Sequence, residues 1–163
     1  MPKLFLLMGC PGSGKTTFAK NILKQGTYIS RDEIRFQKVK ENEEYFSKEN
    51  EVFAEFINQI NAALERGEDV LADATHLNRA SRKKVLNKVK GYDCLGIIHV
   101  RPGLQMALDQ NELRKGTRSY VPRSVVRRMW HSIEEPAYDE GFDVIWTVWS
   151  DYLTGKWYVQ EGE

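Results

Sequence analysis

The sequence predicts an α/β fold of three layers, in which helices cover both faces of a mostly parallel, five-stranded sheet. Apolar runs alternate along the chain with segments of helical periodicity, and a glycine-rich loop joins the first apolar run to the first helix. The chain has 163 residues, of which 41% are hydrophobic, which is enough for one domain with a full core. We therefore expect residues 1–163 to form a single domain.

The predicted elements follow one another without a repeat or an interdomain linker. Residues 4–8 form an uninterrupted apolar run, which is typical of a strand buried on both faces of a parallel sheet. The other predicted strands are residues 27–30, 70–72, 96–100 and 144–149. Helices are predicted from about residue 15 and over residues 31–39, 51–65, 79–89, 106–113 and 124–133.

The loop after the first strand reads GCPGSGKTT and fits the pattern G-x-x-x-x-G-K-[ST]. Its glycines allow successive backbone N–H groups to curl around phosphate oxygens, and the following helix directs its positive end at the same anion. A glycine-rich turn that contains lysine by chance is the alternative, but the strand before it and the helix after it argue against that. The predicted nucleotide-binding residues are Gly9, Cys10, Pro11, Gly12, Ser13, Gly14, Lys15, Thr16 and Thr17.

Two carboxylates stand where predicted strands end, and ligands of such sheets bind at that edge. Asp32 follows the second strand and is the first choice for a group that takes a proton from an attacking hydroxyl. Asp73 follows the third strand and resembles the strand-end acid that holds Mg²⁺. Either acid is alternatively a helix or turn cap, and the two acids are able to exchange roles.

Basic residues form the rest of the predicted site. Arg35 lies one helical turn after Asp32 and is placed to reach an anionic part of the acceptor, with an ordinary surface arginine as the alternative. Arg114, Lys115 and Arg118 surround Gly116 between two helices. A mobile basic loop of this kind closes over a nucleotide and offsets charge that develops during transfer, so we predict a lid over residues 111–123. An ordinary basic turn is the alternative.

Composition excludes several other classes of protein. The longest apolar run is shorter than 18 residues and there is no signal-peptide pattern, so we expect a cytoplasmic protein without membrane association. Cys10 and Cys94 lack C-x-x-C spacing, which argues against a disulfide framework or a zinc site. The C-terminal aromatic residues are interpreted as packing residues, with a base-stacking platform as the alternative; they are Trp146, Trp149, Tyr152, Trp157 and Tyr158.

The ordered strings GCPGSGKTT, SRDEIR, DATHLNRASRKK, NELRKGTRSYVP and EEPAYDEGFDVIW resemble the kinase domain of bacteriophage-type polynucleotide 5′-hydroxyl kinases. The resemblance spans nearly the whole chain, from about residue 3 to residue 149. It implies a P-loop kinase fold with a lid, and transfer of the ATP γ-phosphate to the 5′-hydroxyl of DNA or RNA. The 3′-phosphatase motif D-x-D-G-T is absent from the sequence, so a kinase without phosphatase activity is expected.

The resemblance also implies roles for individual residues. Asp32 takes the place of the general base, and Arg35 that of the arginine that contacts the acceptor phosphate. Lys15 is implied to be catalytic, and Thr16 to ligate Mg²⁺. Asp73 matches the position of the family's strand-end acid, which is implied to reach the ion through water. Thr75 joins Arg35 and Asp73 on the substrate side. Arg114 and Arg118 are both predicted as catalytic lid arginines. The spacing around Gly116 differs by one residue from the phage pattern, so the resemblance does not select one of them.

Other functions remain open at this level. A small-molecule kinase of the gluconate or toxin type shares the loop and the lid, and a tRNA-directed or RNA-repair kinase differs only in its acceptor. A non-catalytic nucleotide-binding switch is a further alternative, against which the strand-end acid and the basic lid both argue. DNA or RNA preference, oligomeric state and the identity of the donor base are not encoded in any motif of the chain.

Overall fold

One six-stranded sheet organises the protein, and its strand order is β2-β3-β1-β4-β5-β6. The computed structural model describes residues 1–162. The strands are β1 Lys3–Met8, β2 Thr27–Ser30, β3 Val70–Asp73, β4 Cys94–Val100, β5 Val144–Ser150 and β6 Trp157–Glu161. The helices are α1 Lys15–Thr17, α2 Arg31–Lys38, α3 Glu49–Glu65, α4 Arg79–Leu86, α5 Leu104–Glu112 and α6 Arg123–His131.

The central strand β1 explains why the fold has three layers. It pairs in parallel with β3 on one side and β4 on the other. Because alternate residues of a strand point to opposite faces, Leu6 packs in the core under α3 and α4, whereas Leu7 packs with Phe18 and Ile98 on the other face. The predicted three-layer α/β fold is confirmed.

The sixth strand is an addition to the five that the sequence predicts. β6 pairs antiparallel with β5, and Trp149 lies opposite Tyr158. Four of its five residues are exposed, so it lacks the apolar alternation that marks a half-buried strand. Most aromatic residues of this hairpin pack: Trp146 lies 6.0 Å from Phe5, Trp157 lies 5.2 Å from Phe18 and Trp149 lies 5.8 Å from Tyr158, measured between ring centroids. Tyr152, in the turn, is 65% exposed.

Most helices differ from their predicted bounds by one or two residues at an end, and two differ more. Residues Lys15–Thr17 are α-helical, and the helix continues as a π-helical segment over Phe18–Leu23. Its C-cap is Lys24, which has a φ of 51°. The helix predicted over residues 79–89 ends at Leu86, followed by Asn87 as the C-cap. Within residues 1–162, no helix combines the length and the apolar composition needed to cross a bilayer.

Arg82 ties α4 to the segment before β5. Its side chain is completely buried, and its Nε and Nη2 donate to the two carboxylate oxygens of Glu140 at 2.8 and 3.1 Å. Nη1 donates to the carbonyls of His76 and Glu134 at 2.9 and 3.1 Å. The guanidinium is therefore fully engaged, and it fixes the chain that follows β3.

Replacing Arg82 with methionine is expected to lower the free energy of unfolding by about 3–5 kcal/mol, because a nearly buried Glu140 carboxylate loses its main partner. Arg79→Met is the matched control. Arg79 is on the same helix and also approaches Glu140, but 45% of its side chain is exposed, so a much smaller loss is expected. Urea denaturation measures both values, and equal losses would contradict this account.

Candidate active site

A cavity of about 1170 Å³ opens where β1, β2 and β3 end. The glycine loop lines one side of it and the N-terminal turn of α2 lines another. The lid residues and the first residues of α6 also line it. The cavity brings together the predicted site residues Gly12, Ser13, Gly14, Lys15, Thr16, Thr17, Asp32, Arg35, Asp73, Thr75, Arg114 and Arg118.

The loop has the geometry of a phosphate cradle. Gly12 and Gly14 have φ values of +81° and +92°, which L side chains rarely adopt. A Cβ at Gly9 would lie 2.7 Å from the carbonyl oxygen of Val100, so the chain passes too close for any side chain. The Ser13 hydroxyl is buried and has no hydrogen-bond partner within residues 1–162, which leaves it available to an anion. These observations fit a bound phosphate.

Lys15 links the loop to β3. Its Nζ donates to the carbonyl of Gly9 at 3.0 Å and lies 3.9 Å from Oδ1 of Asp73. Burial raises the pKa of the Asp73 carboxyl, while the charge of Lys15 opposes that shift. Lys15 is therefore held beside the glycine loop by a carbonyl and an acid.

Thr16 and Asp73 are joined by Tyr28, a residue that no sequence motif singles out. The Tyr28 hydroxyl donates to Asp73, and it lies 3.2 Å from Oγ1 of Thr16. Because a phenol carries one hydrogen, the Thr16 hydroxyl is the donor to Tyr28, and its oxygen lone pairs remain free. Hydroxyl and carboxylate oxygens are the ligands that Mg²⁺ prefers, so this set of groups fits the predicted ion.

Replacing Tyr28 with phenylalanine is expected to lower the free energy of unfolding by about 1.5–3 kcal/mol, since a buried carboxylate loses a hydrogen bond. Tyr158→Phe is the matched control, because Tyr158 is 43% exposed on β6 and a change within about 0.5 kcal/mol is expected there. Chemical denaturation of the two variants tests the prediction. Equal stability would mean that the Tyr28 hydroxyl does not support Asp73.

Asp32 and Arg35 meet on the α2 side of the cavity, as their spacing predicts. Oδ1 of Asp32 accepts hydrogen bonds from Nη1 of Arg35 and from the Tyr45 hydroxyl, the latter at 3.1 Å. The Asp32 side chain is nevertheless 62% exposed. Within the described residues, its Oδ2 has no hydrogen-bond partner.

Arg35 is more enclosed than a surface arginine. Only 7% of its side chain is exposed, and Glu49 accepts hydrogen bonds from its Nε and from its Nη2, the latter at 3.0 Å. Burial raises the pKa of the Glu49 carboxyl, but the hydrogen bonds and charge of Arg35 and Arg31 outweigh it and hold the pKa below the usual range. The Arg35 guanidinium is therefore already paired with carboxylates.

Neither predicted acid is a helix cap. The cap of α2 is Ser30, whose hydroxyl accepts a hydrogen bond from the Glu33 N–H at 3.2 Å. The cap of α4 is Asn78, whose side chain accepts from the Ser81 N–H at 2.7 Å. The helix-cap alternative is therefore wrong for both carboxylates, and their charge is available to the cavity.

The lid is anchored at its base by Asn111, which is completely buried. The Asn111 amide donates to the carbonyl of Val121 at 2.6 Å and accepts from the Val121 N–H at 3.1 Å, so the two ends of the lid are held together. Gly116, at its tip, has a φ of +88°. The segment is thus a closed loop on a fixed base.

The two lid arginines have different environments. Arg118 donates to the carbonyls of Phe36 at 3.4 Å and Val39 at 2.5 Å, and its guanidinium lies 5.1 Å from the centroid of the Phe36 ring. It therefore binds the lid to the C-terminal end of α2, where helix carbonyls lack partners. The Arg114 side chain is half-buried and lines the cavity, without a hydrogen bond to any described residue.

The cavity also includes residues that the sequence motifs do not select. His76 is buried and lines the cavity, and its Nδ1 lies 2.7 Å from the Leu7 carbonyl oxygen. Burial lowers the pKa of its ring to about 4, so the ring is neutral near pH 7. Arg128 of α6 lines the cavity with an exposed side chain. The sequence feature that could have pointed to Arg128 is the basic run from Arg114 to Arg128, which contains no acidic residue.

Gly9 and Thr75 contribute through the backbone, and Cys10 contributes through packing. The Gly9 N–H donates to the carbonyl of Thr75 at 3.0 Å, which joins the start of the glycine loop to the chain after β3. Cys10 is buried with Leu77 and Leu108, consistent with a packing role for its side chain. Pro11 lines the cavity beside the glycine loop.

Comparisons with known proteins agree with this geometry. A family model described as AAA domain matches residues 4–136. Among solved structures, the chain is similar to a protein of the Pnkp1/Rnl/Hen1 RNA repair complex, with a TM-score of 0.71 and 21% identity. That match covers 87% of this chain and 46% of the other, so this chain spans less than half the length of that protein.

Two further structures match this chain over most of their own length. A gluconokinase from Sinorhizobium meliloti 1021 has a TM-score of 0.58 and 17% identity, and the match covers 91% of this chain and 82% of that one. Kti12 from Chaetomium thermophilum, solved in complex with ADP-AlF3, has a TM-score of 0.61 and 19% identity, covering 88% and 87%. Because the family model spans more than half of its residues, the chain belongs to the AAA domain family, and it has the fold of a P-loop kinase.

Proposed function

We propose that the protein transfers the γ-phosphate of ATP to the 5′-hydroxyl end of a DNA or RNA strand. The observation that carries the proposal is the position of Asp32. Its exposed carboxylate lines the same cavity as the phosphate-binding loop, where an acceptor hydroxyl would enter. The ordered motifs that resemble polynucleotide 5′-hydroxyl kinases support the same acceptor.

Asp32 is the general base of the proposed reaction. Arg35 and Tyr45 hold its Oδ1, so Oδ2 is left to accept the proton of the acceptor hydroxyl. The hydroxyl oxygen then forms a bond to the γ-phosphorus, the bond from that phosphorus to the bridging oxygen breaks, and ADP leaves. This in-line displacement needs positioning more than covalent help from the protein.

Positive groups on two sides of the cavity offset the charge of the transferred group. Lys15 and the loop N–H groups lie on the donor side, and Arg114 reaches the cavity from the lid. Mg²⁺, held by Thr16 and through water by Asp73, would neutralise charge on the phosphates. The hydrogen bonds through Tyr28 already connect Thr16 and Asp73.

The size of the cavity and the arginines on its lid side support a large, anionic acceptor. Its volume of about 1170 Å³ exceeds the roughly 300–1000 Å³ typical of a small-ligand site. Arg128 and Arg114 line it on the side of α6 and the lid. A strand end and a nucleotide have room there together, and phosphates of the strand have cations to approach.

A small-molecule kinase is the second candidate. The specific observation in its favour is the extent of the structural matches: the gluconokinase is covered over 82% of its length, whereas the RNA repair protein is covered over 46%. Both candidates use the same loop, base and lid. They differ in what binds beside Asp32.

The test is transfer from γ-labelled ATP to competing acceptors. We expect label on DNA and RNA oligonucleotides with a 5′-hydroxyl, and none on the same oligonucleotides that already carry a 5′-phosphate. Gluconate and other simple sugars are offered in parallel and as competitors. Labelling of a sugar but of no oligonucleotide would favour the second candidate, and ATP binding without transfer to any acceptor would favour a nucleotide-binding switch.

A further inference from the structure

We infer that Phe46 stacks on the nucleobase at the 5′ end of the acceptor, an inference that rests on the proposed function. Phe46 lies between α2 and α3 and lines the cavity, yet 61% of its surface is exposed. Large apolar side chains gain free energy by leaving water, so a phenyl ring exposed in a ligand-sized cavity would be stabilised by a ligand that covers it. It is available to a flat, apolar partner.

The side chains of Tyr45 and Arg35 position the Phe46 ring. The Tyr45 ring meets it edge-on, with centroids 4.8 Å apart at an angle of 84°. The Arg35 guanidinium lies 5.0 Å from the Tyr45 ring centroid and 5.4 Å from that of Phe46, and Glu49 fixes the guanidinium in turn. A ring that is already positioned loses little conformational entropy when a ligand binds to it.

The position of the ring relates it to the reacting end of the acceptor. Tyr45, the neighbouring residue, donates a hydrogen bond to Asp32 at 3.1 Å. The same short segment therefore contacts the proposed general base and presents an aromatic face beside it. A terminal nucleotide whose 5′-hydroxyl approaches Asp32 has its base within reach of that face.

Charge divides the cavity into two sides. Glu41 and Glu43 line it on the Phe46 segment, where the charge of the nearby Arg35 is offset by its ion pairs with Asp32 and Glu49. Arg114 and Arg128 line it on the lid and α6, and neither forms an ion pair with a described residue. An acidic neighbourhood repels strand phosphates, so the Phe46 side favours the uncharged base, and the phosphates are directed to the arginines. This arrangement fits a nucleotide that lies across the cavity.

Stacking gives a measurable signature, because every base has a π-face and an abasic residue has none. The experiment compares two single-stranded DNA acceptors that differ only in the first nucleotide, which is either thymidine or an abasic analogue. With the full-length protein we expect kcat/KM to fall about 5- to 150-fold on the abasic acceptor, the range that base stacking on an aromatic residue provides. The change is expected mainly in the KM for the acceptor.

Phe46→Ala should lower kcat/KM on the thymidine end by a similar factor and should no longer distinguish the two acceptors. Its KM for ATP should stay unchanged, and Phe46→Trp should restore the discrimination. Tyr158→Ala is the matched control, because it removes an exposed aromatic ring from β6 and should keep the full discrimination.

The outcomes separate this inference from the proposed function. If the protein phosphorylates 5′-hydroxyl oligonucleotides but Phe46→Ala keeps the wild-type preference for the thymidine end, the stacking role is overturned and the kinase function stands. If no 5′-hydroxyl oligonucleotide is phosphorylated by the wild-type protein, the proposed function fails and the stacking role falls with it. Phosphorylation of a sugar alone, unaffected by Phe46→Ala, would likewise overturn both.

Discussion

Asp32→Asn is expected to lower kcat for transfer to a 5′-hydroxyl oligonucleotide by about 10²- to 10⁴-fold, the range for loss of a positioned general base. Asparagine has nearly the shape of aspartate, but its amide does not take a proton from the acceptor hydroxyl. The fold should be unaffected, because the side chain is 62% exposed and Arg35 stays paired with Glu49. Nucleotide binding, measured by calorimetry or fluorescence, should also persist.

Glu33→Gln is the control for this substitution. Glu33 is the next residue of α2, its side chain is 54% exposed, and it pairs with Lys20 at 3.2 Å. Both substitutions remove one exposed negative charge from the same helical turn, so a general effect of charge on the acceptor would appear in both. Similar losses in the two variants, or full activity in Asp32→Asn, would be incompatible with Asp32 as the base.

The parts of the site that lie close together in the sequence were predictable. The glycine loop, its strand and its helix occupy consecutive residues, and local chemistry alone favours glycine where φ is positive. Asp32 and Asp73 were found by a general rule, because the carboxyl ends of parallel strands share one edge of the sheet. The lid followed from a glycine among basic residues between two helices.

The remaining parts depend on pairings between distant residues. Tyr28 meets Asp73 across 45 positions, and no local pattern distinguishes its hydroxyl from that of any other strand tyrosine. Arg35 pairs with Glu49 at the start of another helix, and no local pattern predicts this enclosed ion pair. Arg82 sits in the run RASRKK, which is typical of an exposed helix face, yet its side chain is completely buried.

The same distinction between local and distant contacts separates the two lid arginines. Sequence spacing treats Arg114 and Arg118 alike, but the carbonyls of Phe36 and Val39 engage Arg118, whereas the Arg114 side chain lines the cavity without a hydrogen bond to any described residue. Arg114→Ala is therefore expected to lower kcat by about a thousandfold or more, the contribution of an arginine that stabilises charge in phosphoryl transfer. The KM for ATP should change much less, since this interaction strengthens in the transition state.

Arg118→Ala should behave differently, because it releases the lid from the end of α2 rather than removing a charge from the transferred group. We expect kcat and KM to change together, as is common when a closing element loses its anchor. Arg118→Lys should not rescue it, because an ammonium does not reproduce the planar fork that spans two carbonyls. Lys115→Ala, an exposed basic position of the same lid, is the control in steady-state assays with varied ATP and acceptor. A loss confined to kcat in Arg118→Ala, with little effect in Arg114→Ala, would reverse the two roles and would mean that the lid rearranges when the nucleotide binds.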